Sequence, residues 1–378
     1  MTLTTRVSVR LVRRGDRRDI AGFVDLPERL HAAGGVWAPP GLRRDAIRQL
    51  HRSHPFHQHS SASFFVAEHR GRAVGRIAAI ENRRYNVHHG TRAGFFGSFE
   101  TVDDEAVSTA LFAAALDSLR RRNLTEAIGP RGVSGLGETL LVDGFEHRPV
   151  GGVAWTPPYY EQHVLAAGFE PMVDFRSGWF ASTHQHRQVI HNVAERARLR
   201  SGFETMTFQS RAQLRRWLPR IIPVFLDAMS ETVTFYPPTR EEIDELVRTI
   251  LLVVDPRAVT VVLKRGRVVG FIFAYPDLGE VLARTRGRLA PFGWVDFLTG
   301  RDNRPVYAIN GVGVLAEHRG FGANALLYSE ITRVLLEDIG VQAAEVVQVA
   351  TTNRRSFEDM TALGVTWNRT HRLYRKEL

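Results

Sequence analysis

The sequence predicts an α/β (α+β) fold in two similar units, each a mixed, mostly antiparallel central sheet flanked by helices. Three observations lead there. The 378 residues exceed what one ordinary hydrophobic core organises. The order hairpin, strand, helix, strand, helix, strand can be read twice along the chain, giving expected units at 1–198 and 199–378. Only the second reading has a glycine-rich turn between its third strand and the next helix, in VYAINGVGVLAEHRGFGANALL (Val306 to Leu327), so the units look alike in plan and unlike in chemistry.

Composition narrows the class. Hydrophobic residues make up 44% and charged residues 24%, the profile of a soluble globular chain. No apolar run approaches the roughly 18 residues of a membrane span, and MTLTTRVSVR lacks the apolar core of a signal peptide. The expectation is a cytoplasmic protein with no membrane partner. There is no cysteine, which excludes disulfides, thiolate metal sites and cysteine-linked intermediates. The net charge of +10 comes from 48 arginines against two lysines, Lys264 and Lys376. Such a skew reflects codon composition as readily as a partner, so nucleic acid is not expected and basicity points only to an anionic ligand.

Along the first unit, VSVRLV reads as a strand. Ile20, Phe23, Val24, Leu26 and Leu30 give an apolar helical face that Pro27 divides into two short helices. VWAPPGL is a turn, with a helix near Asp45. His51, His54, His57 and His59 crowd HRSHPFHQH, but without interleaved acids or metal-ligand spacing they are expected in a solvated loop, with no metal. SFFVAEHRG and RAVGRIAAIE form a hairpin turning at Arg70, Gly71 and Arg72. GFFGSFE is the third strand, and the helix after it has an acidic first turn, arginines at its end, and apolar residues at Val107, Leu111, Ala115 and Leu119. EAIGPRG, a helix from TPPYYEQHVLAAGF and the strand MVDFRSGWF complete the plan. Tyr159, Tyr160 and Glu100 are candidates to line a substrate cleft, although aromatic residues at helix starts more often serve the core.

Residues 182–202 read as a helical connector. In the second unit SGFETMTF is a strand, RAQLRRWLPRIIPVFLDAMS one or two helices broken at Pro219 or Pro223, and TREEIDELVRTILLVV a helix capped by Thr239. AVTVVLKRGRVVGFIFAYPD is a hairpin turning at Arg265, Gly266 and Arg267. Then comes the glycine turn, where Gly320 and Gly322 allow the backbone to point several N–H groups into one concavity at a helix N-terminus, suited to a phosphate. The same turn without a ligand fits the pattern too. AAEVVQVAT, a helix from Asn353 to Leu363 and a terminal strand at THRLYRK follow.

The turn resembles the pyrophosphate-binding motif of the GNAT superfamily of acyl-CoA N-acyltransferases, with Arg319, Gly322 and Asn324 at its key places; Asn324 is a departure that either donates to a phosphate or narrows the site. The element order is the GNAT order in both halves. LPERLHAAGGVWAPP, HPFHQH, GRIAAIENRRYNVHHG, LLVDGFEHRP, PPYYEQHVLAAGF and VLAEHRGFGANALLY are similar to a bacterial family of tandem GNAT-like proteins about as long as this chain, mostly of unassigned substrate.

The resemblance implies transfer of an acyl group from a phosphopantetheine thioester, acyl-CoA or an acidic acyl carrier protein, to a primary amine of a small molecule or peptide. It assigns the cofactor to Val314, Leu315, Arg319, Gly320, Phe321, Gly322, Ala323, Asn324, Asn353 and Ser356, with backbone N–H groups at Val314 and Leu315 polarising the thioester. Asn353 equally suits an N-cap. The customary base position holds Asn310, which can place a water but not titrate. Asp277 and Tyr328 are the other catalytic candidates, and Met360 stands where the superfamily keeps an acidic tyrosine. These departures keep open a non-catalytic CoA- or partner-binding module, and basicity an aminoacyl-tRNA-dependent transferase.

Overall fold

The computed structural model describes residues 7–133, 138–180, 184–288 and 306–378. In chain order come β1 (Ser8–Leu11), α1 (Arg17–Val24), α2 (Leu26–His31), α3 (Arg43–Leu50), α4 (Phe56–His59), β2 (Ser61–His69), β3 (Arg72–Glu81), α5 (Arg83–His89) and β4 (Ala93–Thr101). Next are α6 (Glu105–Arg120), β5 (Glu126–Gly129), β6 (Leu140–Asp143), α7 (Tyr159–Ala166), β7 (Glu170–Phe180), α8 (His184–Ser201), β8 (Phe203–Thr207), α9 (Arg211–Met229) and α10 (Arg240–Val253). The chain continues with β9 (Val259–Lys264), β10 (Arg267–Pro276), α11 (Gly279–Thr285), β11 (Val306–Val314), α12 (Ala323–Arg333), β12 (Ala343–Ala350), α13 (Arg354–Ala362) and β13 (Val365–Glu377).

These elements form two compact units. The first takes the described residues of Met1–Phe175, Leu278–Phe297 and Arg369–Leu378, the second those of Arg176–Asp277 and Leu298–Asn368. The units are thus discontinuous in sequence, whereas the sequence suggested one boundary at 198/199. Helix α8, read as a connector, belongs to the second unit.

In the first unit the strands run β1-β2-β3-β4-β5, and the last residues of β13 follow β5. That pairing is antiparallel, with Tyr374 opposite Gly129. The β2–β3 turn is built by Arg70 (φ 50°) and Gly71 (φ 73°), the pair of left-handed residues that a two-residue hairpin requires. Helix α6 is capped by Asp104, whose carboxylate accepts from Ala106 N at 2.9 Å, and it buries all four expected apolar positions, Val107, Leu111, Ala115 and Leu119. Phe96, Phe112 and Phe169 interlock beneath it with ring centroids 4.8–5.4 Å apart. The histidine-rich stretch is not a solvated loop throughout. His54 is buried beside the short α4, and His57 Nε2 donates to Gln49 O at 2.9 Å, because Phe56 anchors the turn in the core.

The second unit has the strand order β12-β11-β10-β9-β8. Its hairpin repeats the first, with Arg265 (φ 51°) and Gly266 (φ 75°) at the turn. Helices cover both faces. Ile190 and Ala194 of α8 with Leu326, Leu327 and Ile331 of α12 pack on one, and Leu214, Leu218, Ile221 and Val224 of α9 on the other. The sequence suggested a break in α9, yet the helix runs through Pro219 and Pro223. Both prolines lie on the exposed side, so the carbonyls deprived of an N–H partner face water. Thr239 caps α10 as expected, in a reciprocal capping box with Glu242.

Candidate active site

The end of β11 is set by its neighbours. Leu315 N donates to Val269 O at 2.9 Å, and Val314 lies opposite Gly270. Antiparallel ladders alternate bonded and non-bonded pairs, so the N–H and C=O of Val314 turn away from β10. On that other side β12 pairs in parallel only from Val306/Ala343 to Ile309/Val346, and the two strands then part. The Val314 N–H therefore faces a cleft between splayed strands. The Val314 carbonyl accepts from Arg319 Nε at 3.0 Å, and the same guanidinium reaches Glu231 at 3.3 Å. Leu315, expected with Val314 to turn its N–H towards the thioester, gives that N–H to Val269 O instead and does not offer it to the cleft.

The glycine turn is what its residues require. Gly320 (φ 85°) and Gly322 (φ 88°) are left-handed, and Gly322 is the N-cap of α12. A Cβ on Gly322 would meet the Cβ of Ala197 on α8 at 2.4 Å. The first-turn N–H groups of Ala323, Asn324 and Ala325 lack intrahelical acceptors by helix geometry. Ala323 is buried, whereas Phe321 stands in solvent. A Cβ on Gly320 would lie 3.9 Å from the guanidinium of Arg355 on α13, a second cation beside the turn that the sequence analysis did not single out. The Arg355 guanidinium thus lies beside a left-handed turn at a helix N-terminus, while that of Arg319 is turned towards Val314 O and Glu231.

Asn324 is occupied locally. Its side chain is hydrogen-bonded to Asp359 on α13, and burial raises that carboxyl above its ordinary range against the pull of Arg355 and of the Asn324 bond. Asn353 caps α13, its Oδ1 accepting from Ser356 N at 3.2 Å. Met360 is buried in the core. Tyr328 packs in the same core with its hydroxyl buried and without a partner among the described residues, and burial raises its pKa.

The three catalytic candidates are not gathered at one point. Tyr328 lies on the α8/α12 face, whereas Asn310 bonds the hydroxyl of Tyr275, which packs on the α9/α10 face. Burial pushes Tyr275 up to about 12, while the Asn310 bond pulls the other way. Asp277 lies near Tyr275, its backbone N donating to Val306 O at 2.9 Å. The kink that brings Asn310 round is a bulge: the register shifts between Ile272 and Ala274, and Gly311 (φ 99°) is flattened against Phe273, 2.5 Å from where a Cβ would stand. Tyr275 was not foreseen, although its alternation with Phe271 and Phe273 in GFIFAYPD placed it on that face.

The first unit repeats this geometry and closes it. Thr101 lies opposite Gly75, and Val102 N donates to Val74 O at 3.0 Å, matching Val314, Gly270, Leu315 and Val269 in turn. Strands β4 and β5 also part, after Phe95/Ile128. Here the two outward groups are taken: Thr101 N donates to the Tyr160 hydroxyl at 2.9 Å, and the Tyr159 hydroxyl donates to Thr101 O at 2.9 Å. Tyr160 in turn donates to Glu100 at 2.8 Å, and His31 Nε2 lies 2.8 Å from the same carboxylate. Burial pushes the Glu100 carboxyl up, but the His31 bond and the Arg76 charge more than offset it, leaving it below its ordinary range. Tyr160, expected at a cleft, is fully buried as the stopper of this one. No group of side chains suited to a metal ion occurs among the described residues.

The chain has the tandem GNAT fold, with a mostly antiparallel sheet and flanking helices. No family model matches it. It is similar in structure to the tandem GNAT protein from the clavulanic acid biosynthesis pathway, with a TM-score of 0.57 at 14% identity over 98% of each chain. A GCN5-related glucosamine N-acetyltransferase region of a fungal multi-domain GH3 β-N-acetylglucosaminidase gives 0.53 at 14% identity, over 98% of this chain and 38% of that one. In sequence it is 28% identical over 372 residues to the bacterial ceramide synthase of Caulobacter vibrioides, covering 95% of each. It is 24% identical over 378 residues to Protein YghO of Escherichia coli K12, covering 96% of this chain and 94% of that one.

Proposed function

We propose that the chain transfers an acyl group from a phosphopantetheine thioester, acyl-CoA in the first instance, to the primary amine of a long-chain amino alcohol. The observation that carries the reading is the Val314 N–H facing splayed strands, one turn before a left-handed glycine loop with Arg319 and Arg355 beside it. In this reading the loop and the two arginines hold the pyrophosphate, the Nδ2 of Asn353, whose Oδ1 caps α13, holds the pantetheine arm, and Val314 N–H polarises the thioester carbonyl as negative charge develops there. The amine attacks that carbonyl, the tetrahedral centre collapses with loss of thiolate, and the amine proton leaves to water held at Asn310 and Tyr275. Leu315 is not a donor in this scheme, and Tyr328, on the opposite face, supports packing.

The acceptor class rests on the likeness to a ceramide synthase, since a ceramide is the amide of a fatty acid with a long-chain amino alcohol. The α9/α10 face agrees with it: α10 is amphipathic yet buries no residue fully, and Phe225, Met229, Val247, Ile250 and Leu251 remain only partly covered beside Tyr275. A carrier-protein donor and a peptide acceptor are the other outcomes of the test. Purified chain is incubated with radiolabelled palmitoyl-CoA and sphinganine and the amide product separated, with CoA binding followed in parallel by thermal shift. Wild type is expected to form amide and to gain melting temperature with CoA, and Arg319→Glu to lose both by setting a carboxylate against the pyrophosphate. An unchanged thermal shift in that variant refutes the placement; binding without turnover on any amine favours a non-catalytic CoA-binding module.

A further inference from the structure

Among the described residues of the second unit, the exposed large apolar side chains lie on α8 and at the glycine turn. They are Val189, Val193 and Leu199 on α8, exposed by 58%, 47% and 85%, and Phe321 of the glycine turn, exposed by 63%. Such residues are ordinary when scattered and informative when clustered. Helix periodicity aligns Val189, Val193, Arg196 and Arg200, spaced i, i+4, i+7, i+11, in one stripe about 16 Å long, roughly a quarter-turn from the buried Ile190 and Ala194. Leu199 flanks the stripe. The contact between Ala197 and Gly322 fixes α8 against the loop that presents Phe321, so Phe321 lies beside α8, while Leu199, two residues on from Ala197, lies on the far side of the helix.

Charge on the stripe has one sign. Arg196 and Arg200 are exposed and make no ion pair among the described residues, and the helix's one nearby acid, Glu195, lies on another side and pairs with Arg198 at 3.6 Å. Apolar side chains interleaved with guanidiniums along a convex helix suit the boundary of a lipid leaflet, where the former enter the acyl region and the latter meet phosphates.

We propose that α8 and Phe321 form a docking surface for an anionic lipid bilayer, holding the chain on the membrane at the glycine turn. The interleaving of apolar side chains with guanidiniums along a convex helix matches the acyl and phosphate levels of a leaflet, and an acidic protein is the competing occupant that the test separates. The expectation of no membrane partner rests on the lack of a long apolar run, which peripheral docking does not need: among the described residues no helix is long and apolar enough to cross a membrane.

The test is co-sedimentation of the full chain with vesicles and needs no turnover, so it stands or falls apart from the acyl-transfer reading. Wild type is expected to sediment with phosphatidylcholine vesicles containing about a third phosphatidylglycerol, and roughly tenfold less with phosphatidylcholine alone or at high salt. Val193→Asp with Phe321→Asp is expected to cut binding to the anionic vesicles about tenfold at unchanged melting temperature, and Arg196→Gln with Arg200→Gln to remove the preference for anionic lipid. Wild type that stays in the supernatant, or a Val193→Asp/Phe321→Asp variant that binds as wild type does, overturns the proposal. Capture by a holo acyl carrier protein that the arginine variant abolishes, with no vesicle binding, overturns it in favour of a protein dock.

Discussion

Replacing Gly322 by alanine tests the turn and its support together. At φ 88° an alanine sits in the left-handed region, which costs about 1–2 kcal/mol. Its Cβ also meets that of Ala197 at 2.4 Å, an overlap that has to be relieved by moving α8 or α12, at about 1–3 kcal/mol. The expected loss is therefore about 2–5 kcal/mol, read by urea denaturation. Gly320→Ala is the control, because it shares the backbone term (φ 85°) but has nothing nearer than the Arg355 guanidinium at 3.9 Å. It should lose only about 1–2 kcal/mol. Ala197→Gly removes the overlapping methyl, at about 1 kcal/mol for a glycine inside a helix, so in the double variant the steric part should disappear as a coupling of about 1–3 kcal/mol. Gly320→Ala as damaging as Gly322→Ala, or additivity in the double variant, would refute the packing of α8 on the turn.

Two further expectations concern the first unit. Titration calorimetry should give one CoA per chain, because Tyr159 and Tyr160 already occupy the backbone groups of Thr101; Tyr160→Phe should leave that stoichiometry intact while costing about 1–3 kcal/mol of stability, since it strands Thr101 N–H and removes one donor from the Glu100 carboxylate that His31 still holds. Two equivalent sites would contradict the stopper. His371 is buried with its pKa lowered to about 4, by burial first and by Arg369, against the bond to Ala154 O. The unfolded chain takes up this proton near the ordinary value of about 6.5, the folded one not until about 4. Stability from this group is thus complete above pH 6.5, falls as pH drops towards 4, and flattens below, a loss on the order of 3 kcal/mol. His371→Gln should show a shallower acid limb, and an identical limb would assign the sensitivity elsewhere.

The element order was legible because hairpin turns, helix caps and apolar periodicity are local. Arg70-Gly71 and Arg265-Gly266 announce their turns, and Asp104 and Thr239 their helices. What stayed hidden is non-local. Nothing in THRLYRK says that it pairs with β5, and no residue pattern shows that Tyr160 reaches back to Thr101. For the site, Arg319 and the glycines could be read from spacing. The loss of the Leu315 N–H to Val269, the tie of Asn324 to Asp359, and the placing of Tyr328 and Asn310 on opposite faces depend on register and bulge, which the alternation of VYAINGVGV does not reveal.

The pairing of β13 with β5 sets an order of events on the ribosome. The first unit's sheet waits at Gly129 for Tyr374, so this unit stays open-edged through synthesis of nearly all of the second. A nascent chain in that state exposes the unpaired side of β5, a template for foreign strands and a natural client surface for a chaperone. A premature stop after α13 would therefore injure the N-terminal unit while sparing the glycine turn, and the two halves cannot be separated by cutting the gene at its middle.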